Sequence, residues 1–289
     1  MHRAKISLIL LTFFIFFVSC SFRHDNNEKA GIQIKGSDTI VNLVQVWAEK
    51  FSQNNTAVNV GVTGGGTGTG FAALLNNTCD IAMASRKVEE KEINIAKEHN
   101  IFYEEYIVGL DGLAVLINKD NPVQKLTMEQ LRDIFMAKIT NWNQLGGQNR
   151  PIVLLSRESN SGTHIFFKEQ VIRQADINSK DEFSPKALLM PSSQAIVDEI
   201  YQNPNAIGYV GIGFMNDQTK AVAISARNSN DFIYPSIENV MSGKYPISRP
   251  LYLYTNGFPK GFVKDFIDYT LSEQGQKVVA ETSFVPIKK

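Results

Sequence analysis

The chain has 289 residues, 43% hydrophobic and 20% charged, enough to bury a sizeable core and to form two lobes. Its 29 Lys+Arg equal its 29 Asp+Glu, so no broad nucleic-acid surface is expected. His2, His24, His99 and His164 show no metal-ligand spacing, so neither a metal nor a cofactor is expected.

Arg3 and Lys5 precede an apolar or small run, Ile6 to Val18. That run falls short of the about 20 residues of a membrane span but fits a signal-peptide core. Val18-Ser19-Cys20 resembles a bacterial lipobox, although Phe17 stands where leucine is usual. Residues 1–19 are therefore expected to be a signal peptide, Cys20 the lipidated mature N-terminus, and residues 20–30 a polar tether. The alternative is an uncleaved membrane anchor. Lipidation of Cys20 would leave Cys79 without a partner, as a small buried residue. Losing Arg3 and Lys5 leaves the mature chain at −2.

Ile32 to Lys35 is a short strand, followed by Gly36-Ser37-Asp38-Thr39. Ile40, Leu43, Val44, Trp47 and Phe51 then mark one face of a helix. Ala57 to Val62 is a strand ending in the glycine-rich loop Gly64 to Gly70, before a short helix from Phe71 to Leu75. Asp80 opens a strand, Ile81 to Ala84, which Ser85-Arg86 closes; Glu89 to Asn100 is a polar helix. Tyr106 to Asn118, interrupted by Asp111-Gly112, suits a strand crossing between lobes. A helix spans Thr127 to Met136, and an apolar strand from Pro151 stops at Ser156. A helix follows from about Thr163, another from Ser193 to Tyr201, then strands Ala206 to Phe214 and Ala221 to Ile224. Arg249 to Thr255 is a returning strand and Lys260 to Ala280 one closing helix. This alternation implies α/β architecture with largely parallel sheets. Residues 31–114 and 225–289 would form one lobe and 115–224 the other, joined by two hinge crossings.

The stretch Ser156-Arg157-Glu158-Ser159-Asn160-Ser161-Gly162-Thr163 carries the chemistry. A strand, a short Ser/Gly loop and a helix aim backbone N–H groups and hydroxyls at one point. Arg157 adds a planar fork of five donors. Three such loops (Gly36 to Thr39, Gly64 to Gly70, Ser161 to Thr163) suit a tetrahedral oxyanion bound beyond the carboxyl ends of strands. The glycine loop lacks the Lys-Ser/Thr ending of a Walker A motif. Gly68 to Ala73 also matches G-x-G-x-x-A, with Glu89 about 20 residues on, but the export signal argues against a dinucleotide. His164 beside Ser161 could suggest a hydrolase base, yet neighbouring helix positions do not face each other, so a surface or packing role is expected.

Together, Gly36-Ser37-Asp38-Thr39, the glycine loop, Cys79 to Arg86, Ile139 to Trp142, Arg157 with Ser161-Gly162-Thr163, Ala206 to Tyr209 and Tyr245 to Leu251 resemble the phosphate-binding proteins of phosphate ABC transporters. The resemblance spans nearly the whole mature chain, in order. It implies a two-lobed class II periplasmic binding protein, of Venus-flytrap shape, with no enzymatic activity. It implies phosphate as ligand, an ABC permease and ATPase complex as partner, and a monomer held outside the cytoplasm by its N-terminal lipid. Carried over by position, it implies ligand contacts from Ser37, Thr39, Ile40 (through its backbone), Thr67 and Asp80 in one lobe. Arg157, Ser161, Gly162 and Thr163 would contribute from the other. Asp80 would accept the ligand's proton and so exclude sulfate, with Arg86 as its support; a turn cap and a solvated surface arginine are the plainer alternatives. A secreted phosphoester hydrolase and a binder of another tetrahedral oxyanion are the competing functions.

Overall fold

The computed structural model describes residues 30–287, so the expected signal peptide and the lipidated Cys20 lie outside the described residues. The chain runs β1 (Ala30–Gly36), α1 (Val41–Asn54), β2 (Val58–Thr63), α2 (Thr67–Leu75), β3 (Ile81–Ala84), α3 (Glu90–Glu98) and β4 (Tyr103–Asn118). It continues through β5 (Lys125–Thr127), α4 (Met128–Phe135), β6 (Val153–Arg157), α5 (Gly162–Phe167), β7 (Leu188–Met190), α6 (Ser193–Gln202) and β8 (Ala206–Gly211). The last elements are β9 (Thr219–Ala221), β10 (Ala223–Ser225), β11 (Phe232–Ile233), α7 (Ile237–Met241), β12 (Ser248–Asn256), α8 (Gly261–Leu271) and α9 (Glu273–Glu281).

The main sheet has the order β2-β1-β3-β12-β4-β8-β6-β7, with β9 also on β4. Its flanks are parallel, at β1 with β2 and β3 and at β6 with β7 and β8. Its centre is antiparallel, at β12 with β3 and β4 and at β4 with β8. The largely parallel sheet expected from strand–helix alternation is thus corrected. Alternation is silent about β12, which returns from the far end of the chain and inserts between β3 and β4.

β4 divides the molecule. Tyr103 to Gly112 pair with β12, whereas Leu113 onward pairs with β8. The first sub-sheet therefore holds the N-terminal strands and β12, and the second holds β8, β6 and β7. β10 pairs with β5 and, through Ile224 and Ser225, with β11, so the chain runs on in this three-stranded sheet as far as Ile233. The return to the first sub-sheet runs between β11 and β12, within the segment 225–289 expected to include the return crossing.

Local chemistry explains the elements. α1 buries Leu43, Val44, Trp47, Ala48 and Phe51, the stripe its periodicity dictates, and Trp47 Nε1 donates to Gly275 O. The closing helix is two helices, since Ser272 is extended and its Oγ caps α9 at Gly275 N. β6 runs on through Ser156 and Arg157, which align with Leu189 and Met190 of β7. α2 begins at Thr67, so the second half of the glycine-rich loop is already its first turn. Phe167, Phe183 and Tyr209 stack and Phe135 meets them edge-on, while Phe71, Tyr103 and Tyr254 form a satellite cluster that includes α2. Cys79 lies in that second cluster as a free, buried thiol, pushed up to about 11 chiefly by burial.

Candidate functional site

The carboxyl ends of β1, β3 and β6 and the start of α2 meet where the two sub-sheets face each other. Ser37 Oγ donates to Ser85 Oγ at 2.9 Å and accepts from Thr39 N. Thr67 Oγ1 accepts from Ser85 N at 3.1 Å and lies 3.4 Å from Ser85 Oγ. From the other side, Ser161 Oγ accepts from Thr163 N and His164 N, which leaves its own proton to donate. Thr163 Oγ1 then reaches across to Thr39 Oγ1 at 2.7 Å. These six hydroxyls are each at most 2% exposed. Each hydroxyl carries one O–H to donate and lone pairs that can accept a hydrogen bond from a protonated oxyanion.

Gly162 makes this approach possible. A Cβ there would stand 2.4 Å from Thr67 Oγ1 and 2.7 Å from Ser85 Oγ, so any larger residue would hold the two sides apart. Asn160 completes the contact, accepting from Gly68 N at 3.0 Å and donating to Gly65 O at 2.9 Å.

Two arginines serve this seat in different ways. Arg157 donates from Nε to Met190 O, from Nη1 to Ser193 Oγ, and from Nη2 to Pro191 O and Asp38 Oδ2, the last at 2.6 Å. Arg249 donates from Nε and Nη2 to Asp111 Oδ2, at 3.2 and 2.9 Å. Its Nη2 also meets Thr163 Oγ1 at 2.9 Å and Thr39 Oγ1 at 3.4 Å. Asp111 is fully buried, and burial pushes its carboxyl upward against the pull of the Arg249 guanidinium and the Ile212 N–H. Beside the seat a cleft of 410 Å³ is lined by Arg86, Phe166, Glu169, Arg249 and Tyr252. A larger hollow, of 710 Å³ beside α9, includes none of the seat residues.

The structure thus brings together Ser37, Thr39, Thr67, Ser161, Gly162 and Thr163, with Arg157 at the edge. Ile40 is the N-cap residue of α1 and its side chain is fully buried in the core, leaving only its main chain for a ligand. Asp80 is elsewhere. It is exposed, its Oδ2 accepts from Gln33 N at 2.7 Å, and it precedes β3, whereas the seat lies beyond the other end of that strand. Five residues of extended chain separate it from Ser85, about 16 Å. Its role is the strand-entry link, and the expected carboxylate filter is withdrawn. Arg86 does not support Asp80 either: it is 7% exposed and forks onto both oxygens of Glu92.

Sequence reasoning missed Ser85, Asp38, Asp111 and Arg249. Ser85 carried the same signal as Ser37 and Ser161, a hydroxyl just past a strand's carboxyl end. Asp111-Gly112 was visible as a polar break in an apolar strand. Arg249 lay within the Tyr245 to Leu251 motif, but nothing local gave it a place at the seat. His164 is a packing residue: it meets Ser156 Oγ at 3.1 Å and lies tilted against the Phe183 ring, and burial above all lowers it to about 4. Ser156 also bonds Tyr209 Oη at 2.6 Å and is fully buried, so this Ser–His contact offers no accessible nucleophile.

A family model described as "PBP superfamily domain" matches residues 23–274. The chain is 33% identical over 270 residues to the phosphate-binding protein PstS of Pseudomonas aeruginosa, covering 87% of this chain and 81% of that protein. A Clostridium perfringens structure, described as a phosphate ABC transporter substrate-binding protein with bound phosphate, aligns with a TM-score of 0.80 at 31% identity. That alignment covers 89% of this chain and all of the other. An ABC-type phosphate transport receptor from Vibrio cholerae aligns with a TM-score of 0.68 at 29% identity, covering 88% and 99% of the two chains.

Proposed function

The chain belongs to the PBP superfamily, and from that premise we propose that it captures inorganic phosphate between its two lobes and delivers it to an ABC transporter. The observation that carries this reading is the convergence of buried hydroxyls from both sub-sheets on one point, backed by a guanidinium. Hydroxyls supply donors without fixing a proton, which suits an anion that changes protonation near neutral pH. Charge-assisted hydrogen bonds contribute about 1.5–3 kcal/mol each, and micromolar binding needs about 8 kcal/mol. A seat of this size has surplus for closure and desolvation.

Ligand contacts run through Ser37, Thr39, Thr67, Ser161, Gly162 and Thr163, with Ser85 added and Asp80 removed. The backbone of Ile40 stays in the set. The lobes meet at β4, with closure about the crossing at Gly112–Leu113 and the return between β11 and β12. Contacts such as Thr39–Thr163 and Asn160–Gly65 support a closed arrangement of the two sides. The protein works outside the cytoplasm as a binding protein, with its permease and ATPase as partners. The run Ile6 to Val18 and Val18-Ser19-Cys20 support export and lipidation at Cys20.

Calorimetric titration of the full-length chain in detergent micelles tests the reading: phosphate should bind one to one with a micromolar or tighter Kd. Heat signals with sulfate or a phosphomonoester but none with phosphate would refute it. Mass spectrometry should find a diacylglyceryl group on Cys20, and a lipid-free mature form would refute the anchor.

A further inference from the structure

Phe102 and Phe258 are 62% and 79% exposed, two large apolar side chains turned to solvent. The backbone holds them side by side. Phe102 N donates to Asn256 Oδ1 at 3.1 Å, and Gly257 N donates to Phe102 O at 2.6 Å. Phe258 sits on the turn between β12 and α8, which Gly257 opens with a φ of 64°. A Cβ at Gly257 would meet nothing within 4 Å, so the turn stands clear of the body. Asp80, Asn256, Phe258 and Lys260 line a hollow of 390 Å³, which gives the aromatic pair a polar rim.

The register of the sheet fixes which end of the molecule this is. Ala82 lies opposite Tyr254, and Asp80 N donates to Gln33 O, so the end of β12 is level with the first half of β1. Tyr103, next to Phe102, pairs with Asn256. The seat lies beyond the other end of β1 and β3. The order β1-β3-β12-β4 puts the start of β1 about 15 Å across from the start of β4, at about 4.8 Å per strand.

β1 begins at Ala30, and the ten steps back to Cys20 span at most about 35 Å when extended. A lipid on Cys20 therefore brings a bilayer within reach of this pole first, at an effective concentration on the order of millimolar. Under that confinement an apolar contact too small to hold a free protein on a membrane is occupied.

We propose that the pole of the first sub-sheet bearing Phe102 and Phe258 rests on the lipid bilayer that holds the chain, with both rings at the boundary of headgroups and acyl chains. This rests on lipidation at Cys20. The seven residues of β1 keep the seat about 20 Å from that pole, so a molecule resting there takes up its ligand clear of the lipid surface.

The test uses the full chain, purified with its N-terminus as the cell leaves it and reconstituted on phosphatidylcholine vesicles. A polarity-sensitive fluorophore is attached at Lys260→Cys or, on the side of the second sub-sheet, at Ile177→Cys, where the native side chain is 94% exposed. Cys79 is buried and does not compete for the label. Bromine on the acyl chains should quench the Lys260 label by about twofold or more and leave the Ile177 label unchanged. Adding Phe102→Asp with Phe258→Asp should abolish that quenching and leave phosphate affinity and the melting temperature unchanged, since both side chains are already exposed. Vesicle-bound chain whose Lys260 label ignores bromine would overturn the proposal and leave the anchor standing. A label that responds to protein density but not to bromine would mean that a second copy covers the patch, and would overturn it too. Chain that fails to float with the vesicles would refute the Cys20 anchor, and this face with it.

Discussion

The strand ladder at the centre of the sheet and the rim of the cleft each hold an arginine–aspartate pair, at 2.9 and 2.6 Å. Distance would rank the rim pair first; context reverses the order. Asp111 and Arg249 are 0% and 1% exposed and locked opposite each other by the backbone, whereas Asp38 is 15% exposed and meets Arg157 across an opening. Breaking the first strands a charge in the core; breaking the second lets water in. Contacts within the ladder therefore act on the stability of the fold, and contacts across the cleft act on how the two sub-sheets hold together.

The largest expected effect lies in the ladder. Asp111→Ala leaves the Arg249 guanidinium buried without a counter-charge and should cost about 3–5 kcal/mol in urea unfolding. A cost under about 1 kcal/mol would collapse the distinction, making the core pair behave like a surface one.

The His164–Ser156 contact is also independent of closure, and it sharpens the comparison through pH. Burial lowers His164 to about 4 from an unfolded value near 6.5. The unfolded state then binds more protons between those values, so the stability contribution is complete above about pH 6.5 and lost as pH falls toward 4. Up to about 3 kcal/mol is at stake. Thermal melts should show this acid sensitivity in the wild type and a weaker one in His164→Gln.

Gly162→Ala acts on the rim alone. Its Cβ would press on Thr67 and Ser85, an overpacking cost of about 1–3 kcal/mol. Phosphate affinity should fall by about tenfold to a hundredfold, with the ligand-free melting temperature nearly unchanged. A large drop in that temperature with affinity intact would break the comparison from the other side.

Asp80→Ala touches neither region. Loss of its bond to Gln33 N should cost about 1 kcal/mol or less in unfolding. The phosphate-to-sulfate binding ratio, measured by calorimetry, should not move; a shift toward sulfate would restore Asp80 as the filter.

Much of the fold was legible in the chain itself. The stripe from Ile40 to Phe51 and the strand Ile81 to Ala84 appear where periodicity puts them, and β4, though unbroken, changes partner just after Asp111-Gly112. The hydroxyls Ser37, Thr39, Thr67, Ser161 and Thr163 were readable because each follows a strand and opens a helix, a local pattern. Strand order and residue roles were not local. Asp80 and Ser85 bracket the same short strand, and which end reaches the seat depends on the direction in which β3 runs within the sheet. The protein partners of Arg157, which are Met190, Pro191, Ser193 and Asp38, lie outside its loop and could not be read from it. The pairing of Arg249 was not readable because 138 residues separate it from Asp111, and only the ladder sets them face to face. Sequence by itself determined most of the longer elements, the hydroxyl-bearing loops and the α/β class, since those follow from periods of a few residues, while the short strands β5, β7 and β11 were not visible in it. The tertiary structure decided which charges are spent on the fold and which remain for a ligand, because a side chain's free donors are counted only after distant strands have taken their share.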